Sequence, residues 1–252
     1  MLRQSLGETR SSIRDRHAVL SADSHERTTL PKWAGAEVVF TISPQMGAQF
    51  SQYFAHMEAG GRADAPLAGV ARFAMVLDGA ISLEHGDGKQ TLGPESYAYL
   101  PAGYDHKIHA SSASRLVVFE RRFLPLAGAE PPYPVIGEVG SVEAVPADGD
   151  TRLMFRKLLP TEVAFDCEFN VMDFSPGASL PYVETHFMEH GLLMLNGGGI
   201  YRLDDNWYPV EEGDVIWMGP YCPQWFGALG EGHARYLLYK TWNRDPLSTN
   251  AK

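Results

Sequence analysis

Between residues 179 and 199 the chain reads SLPYVETHFMEHGLLMLNGGG, and Glu184, His186, Glu189 and His190 crowd into one short stretch of it. Carboxylates and imidazoles at that density are the groups that ligate a divalent cation. Two conformations are open to the stretch. As HFMEH on a helix it fits the HxxEH pattern of helical zinc peptidases. As ExHxxxH along extended chain, Glu184, His186 and His190 share even parity and so one face, where Gln224 from a neighbouring strand joins them. The flanks favour extended chain. Pro181 precedes His186, Gly191 follows His190, and Gly197, Gly198 and Gly199 come soon after, leaving too little room for a helix of roughly 10 residues.

One carboxylate, two neutral imidazoles and one amide oxygen leave a divalent ion with a net charge of about +1 and open coordination positions. That set suits Mn(II) or Fe(II), whereas a closed structural zinc site favours cysteine. A lone imidazole is ordinarily a core or surface residue, and His56, His85, His109 and His233 read that way. Three candidate ligands of one parity differ, because a buried unpaired carboxylate is costly and a cation offsets that cost. Glu189, of odd parity, is expected to face away. Asp204 and Asp205 read as hairpin-turn residues, and Cys222 as a buried thiol close to the cavity.

These side chains need a rigid frame, and the rest of the chain supplies the pattern of one. Helical periodicity is nearly absent. Runs such as AEVVFTIS, RLVVFERRF, EFNVMDFS, DVIWMG and RYLLYKTW lie between Gly and Pro punctuation, the pattern of an all-β sandwich or barrel. The runs also repeat: RFAMVLDGAISLE lays over LLMLNGGGIYRLD, each a strand, a turn and a second strand. GPESYAYLPAGYDHKI then corresponds to EEGDVIWMGPYCPQWF. The chain therefore reads as a duplication with a Pro- and Gly-rich connector. In the first half Pro66, Ala68 and Arg72 fall where Glu184, His186 and His190 stand in the second, and only His106 survives. No metal is expected there, and His106 reads as structural.

The spacing GxxxxxxExHxxxHxxxxxxG from Gly177 to Gly197, followed by Gly213, Gly219, Tyr221 and Gln224, resembles the two cupin motifs, with Glu in place of the usual first His and Gln in place of the last. Two such halves resemble a bicupin, that is, two tandem jelly-roll-type β-barrels. More narrowly, YVETHFMEHGLLMLNGGGIYRLDDNWYPVEEGD, PQWFGA and YLLYKTWNRDP are similar to the (S)-ureidoglycine aminohydrolase family. The likeness covers most of the chain, densest over the second half.

That resemblance implies an N-terminal arm over 1–35, a metal-free cupin over 36–125, a connector over 126–150, a metal-binding cupin over 151–246 and a tail over 247–252. It implies Mn2+, with Fe2+ left open by the ligands, on Glu184, His186, His190 and Gln224. Around a small ureide substrate it implies Tyr201, Tyr236 and Lys240, with Gln224 beside them; of these Lys240 and then Tyr236 are the expected groups for managing the proton, and Glu184 is expected to be chiefly a ligand. The implied reaction is hydrolysis of (S)-ureidoglycine to (S)-ureidoglycolate and ammonia in allantoin breakdown. A cupin oxygenase using Fe(II) and a non-catalytic binding bicupin remain as alternatives.

The whole-chain balance agrees with a small-molecule enzyme. With 21 Lys and Arg against 31 Asp and Glu, the net charge of −10 opposes phosphate backbones and anionic lipid, so neither nucleic acid nor membrane is an expected partner. The first thirty residues lack the apolar core of a secretory signal. Two cysteines are too few for a disulfide framework, which points to the cytoplasm. Exposed strand edges and a silent first half point to a homo-oligomer.

Overall fold

A computed structural model describes residues 9–86 and 88–248. Residues 1–8 of the expected arm and 249–252 of the expected tail lie outside them. The all-β expectation holds: among the described residues the only helical elements are three 3-10 turns, at Ala22–Ser24, Pro44–Met46 and Val139–Ser141. None is long and apolar enough to cross a membrane. The chain divides into two units.

The first unit comprises Glu26–Glu143, Lys157–Glu168 and the segment from Thr241. Its organising element is the long strand Phe50–Asp64, which pairs antiparallel with Trp33–Ile42 and Ser114–Arg122 and, through Arg62, Ala63 and Asp64, with His106–Ala110. One strand serving three partners forces the sheet to curl. Alternate residues Tyr53, Ala55 and Met57 point inward and meet Ala74, Val76, Leu116 and Val118.

The second unit comprises residues 9–25 together with Ala144–Arg156 and Phe169–Lys240. Here His190–Asn196 lies between Val215–Met218 and Ala234–Thr241, and a three-stranded sheet sets Gly198–Leu203 between Asn206–Glu211 and Gln224–Ala228. The even residues Leu192, Met194, Ile216, Met218, Tyr236 and Leu238 share one core with Tyr201, Leu203 and Phe226. Each such side chain contributes about 1.5–3 kcal/mol by leaving water. Residues from the start of the chain belong to this unit: His17–Leu20 pairs with Val215–Met218 and covers what is otherwise a strand edge.

The pairing of Gly198–Leu203 with Gln224–Ala228 sets Gly199 opposite Ala228 and close against the Gly227 backbone. A Cβ on Gly199 meets the Gly227 carbonyl oxygen at 2.1 Å and the Phe226 ring at 2.8 Å, so only hydrogen fits. Both cysteines are free and buried, and burial pushes the Cys222 thiol up to about 11.

Candidate metal and substrate site

The strand expected through ETHFMEH is broken. Glu184 forms an isolated bridge with Gln224, residues 185–189 are irregular, and regular strand begins at His190. The helical alternative is absent as well. The ligand-type residues converge for a different reason than simple parity. Glu184 N–H donates to the Gln224 carbonyl at 2.8 Å and Gln224 N–H returns a bond to the Glu184 carbonyl at 2.9 Å, and residues directly opposed in this way send their side chains to one face. The irregular turn of 185–189 then brings His186 back beside His190.

The result sets His186 beside each of the other three. The His186 and His190 rings lie 4.8 Å apart between centroids. His186 Nε2 is 3.7 Å from Glu184 Oε2 and 3.1 Å from Gln224 Nε2. His190 and Gln224 are buried, while the Glu184 and His186 side chains are 31% and 23% exposed, so the group is closed behind and open in front. His186 Nδ1, His190 Nε2 and Gln224 Oε1 are buried without any hydrogen-bond partner. Unsatisfied polar atoms on three neighbouring side chains are costly, and each is an atom type that donates a lone pair to a cation. Burial, with His186 and Lys240 adding, holds the His190 pKa well below its ordinary value. That keeps His190 neutral, the form a metal takes. By these tests the four residues fit a divalent ion.

Lys240 stands opposite His190 across adjacent strands. Tyr201 and Tyr236 are buried, both packed on Phe226 at 5.5 and 5.6 Å between ring centroids, with Phe174 5.3 Å from Tyr236. Burial raises both phenols above their ordinary value, and the Glu184 charge adds to each. Both are therefore neutral donors beside that carboxylate. Glu189 faces elsewhere and accepts from Trp217 Nε1 at 2.8 Å.

A second cluster had no signal in the sequence. His17, Asp204 and Cys222 offer ligand-type atoms within 4.8 Å of one another. Its polar atoms, unlike those around His190, are already partnered. His17 Nδ1 lies 3.2 Å from Asp204 Oδ2 and Nε2 lies 2.9 Å from the Tyr208 hydroxyl. Arg16 holds the other Asp204 oxygen. A guanidinium on the carboxylate opposes a cation, and nothing is left unsatisfied, so the cluster reads as a latch. Its donors and acceptors come from opposite ends of the unit, which is why local sequence pattern missed it.

In the first unit Arg72 occupies the position matched to His190. Its guanidinium donates to Glu120 Oε1 at 2.8 and 2.7 Å, to the Asp64 carbonyl at 2.9 Å and to His106 Nε2 at 3.1 Å, and it lies over the Trp33 ring. His106 Nδ1 donates to the Tyr104 carbonyl at 2.9 Å. Burial and then Arg72 depress the His106 pKa to about 4.

No protein-family model matches the chain. Among solved structures, the E. coli protein Ylba superposes with a TM-score of 0.84 over 94% of this chain and 96% of its own, at 29% identity. Bacillus subtilis oxalate decarboxylase, a protein with Mn(II) centres, shares the fold at a TM-score of 0.69 over 90% of this chain and 78% of its own, at 11% identity. The chain is a bicupin. It is 41% identical over 96% of its length to the (S)-ureidoglycine aminohydrolase of Arabidopsis thaliana, covering 80% of that protein, and 32% identical over 90% of its length to that of E. coli K12, covering 89%. It belongs to the (S)-ureidoglycine aminohydrolase family, a family of enzymes.

Proposed function

We propose that the protein hydrolyses (S)-ureidoglycine to (S)-ureidoglycolate and ammonia, a step in allantoin breakdown, at a site where Glu184, His186, His190 and Gln224 hold Mn2+. The observation that carries the reading is the trio of buried, unpartnered lone-pair atoms on His186, His190 and Gln224. The activity for which the relatives of Arabidopsis thaliana and E. coli are named supports the substrate. When bound, the ion supplies a positive anchor for a carboxylate or amine of the substrate.

The substrate carries an amine, a ureido nitrogen and a carboxylate on one carbon. The ureido lone pair drives out the amine as ammonia, leaving an acylimine to which water adds across C=N. The protein has to orient that path and move protons. Tyr201 and Tyr236, neutral through burial, donate hydrogen bonds to the substrate's anionic end. Lys240, beside His190, is the first candidate to protonate the departing amine and to take up the ureido N–H proton as the acylimine forms, with Tyr236 the second; water then adds with its hydroxyl to carbon and its proton to nitrogen. Glu184 is chiefly a ligand.

The test is ammonia release from (S)-ureidoglycine by Mn(II)-loaded protein without oxygen, compared with His186→Ala. Release by the parent and its loss in the variant is expected. Equal release by both overturns the site. Oxygen consumption by the Fe(II)-loaded protein points to an oxygenase, and affinity without turnover to a binding module.

A further inference from the structure

The turn from Gly219 to Pro223 delivers Gln224 to the site, and it has little regular structure to hold it. Tyr221, at its centre, sits in the left-handed region at φ 59°, a conformation that a bulky residue adopts only when its surroundings enforce it. On the inner side the enforcing contact is Tyr221 N–H to the His186 carbonyl, 2.7 Å. The turn closes on itself through Cys222 N–H to the Gly219 carbonyl at 3.1 Å, and on the outer side it is held by the beginning of the chain and by a residue that the beginning of the chain holds. Gly219 N–H donates to the Arg16 carbonyl at 2.8 Å, and Arg16 Nη1 donates to the Tyr221 carbonyl at 3.4 Å. Arg16 and His17 together grip the Asp204 carboxylate, and Asp204 N–H donates to the Pro223 carbonyl at 2.8 Å. His17 is itself anchored on Tyr208.

We infer that Arg16 and His17 are positioning residues for the metal site, acting through Asp204 and the 219–223 turn to fix Gln224 and the backbone of His186. The inference rests on the ligand assignment proposed above. It goes beyond it in making residues more than 150 positions upstream part of the site's frame. Outer contacts of this kind commonly govern metal affinity about tenfold or more.

A control exists on the same segment. Arg10 makes a bidentate ion pair with the buried Asp214 and another with Glu211, at the opposite end of the Val215–Met218 strand from Gly219. Arg10→Met therefore loosens the arm without touching the turn. Mn(II) dissociation constants are measured by electron paramagnetic resonance titration for the parent, Arg16→Met, His17→Phe, Arg16→Lys and Arg10→Met, beside thermal midpoints. The expected result is about tenfold weaker binding with Arg16→Met and His17→Phe, partial recovery with Arg16→Lys, and a change within about twofold with Arg10→Met despite a lower midpoint. Parent-like affinity in both Arg16→Met and His17→Phe overturns the inference, and so does equal weakening in all of the variants. If His17→Phe does not fold, Arg16→Met decides, since the Arg16 side chain is 54% exposed. A parent that binds no Mn(II) overturns the ligand assignment and removes the basis of the inference with it.

Discussion

Arg72 stands opposite Glu120 across adjacent strands of the first unit, in the register at which His190 stands opposite Lys240 in the second. An imidazole stands beside a lysine in one unit, and a guanidinium beside a carboxylate at the matching register of the other. The guanidinium is saturated by Glu120, the Asp64 carbonyl and His106, so the first unit carries its positive charge covalently.

One Mn(II) per chain is accordingly expected by elemental analysis, and two per chain contradicts this account of the first unit. Arg72→Met takes the guanidinium from Glu120 and from His106 Nε2. Because Arg72 is 1% exposed, the loss is expected to be about 3 kcal/mol in denaturant unfolding. Metal content stays at one.

The acid limb of stability is expected to involve His106. Its folded pKa, about 4, lies below the ordinary 6.5, so the unfolded chain binds the proton more readily. The contribution is complete above about pH 6.5 and is lost as pH falls through about 4. Denaturant midpoints measured across that window should fall toward acid, and His106→Gln should flatten the slope there. An unchanged slope in the variant removes His106 from the account.

The sequence already held the four ligand-type residues, because Pro181, Gly191 and the glycine run exclude a helix and a duplicated hairpin defines the matching positions in the other half. The loss of ligands at Pro66, Ala68 and Arg72 was legible for the same reason. The local geometry was not. Within 184–190 only Glu184 and His190 keep extended pairing, and the irregular 185–189 turn depends on the bridge to Gln224, a partner far along the chain. Contacts between His17 and Asp204, 187 residues apart, leave no periodic trace in either segment.

Lys240 and Tyr236 share a strand face but differ in what they can do. The buried phenol, with its pKa raised by burial, by Tyr201 and by Glu184, gives up its proton reluctantly and serves as a donor. Lys240→Met is expected to lower kcat about 100-fold with KM little changed, and Tyr236→Phe to act mainly on KM. Steady-state kinetics on the Mn(II)-loaded variants decide. Intact turnover in Lys240→Met with none in Tyr236→Phe transfers the proton role to the phenol.

Gly199 tests the wall behind the substrate side chains. Its α-hydrogen faces the Gly227 carbonyl, and the Phe226 ring beside it carries the packing of both Tyr201 and Tyr236. A methyl group placed at 2.1 Å from the carbonyl oxygen cannot be absorbed by a side-chain rotation, because the obstacle is backbone. The strands must part, and the Phe226 ring must move with them. Gly199→Ala is therefore expected to cost about 1–3 kcal/mol in thermal or denaturant unfolding, and to raise KM in the fraction that folds, as the phenols lose their common support. Gly230→Ala, at φ 106° with open space around its Cβ, supplies the contrast. It carries backbone strain but leaves the ring stack alone, so KM should stay at the parent value. Equal KM effects from the two substitutions count against the Phe226 stack as the support of the site.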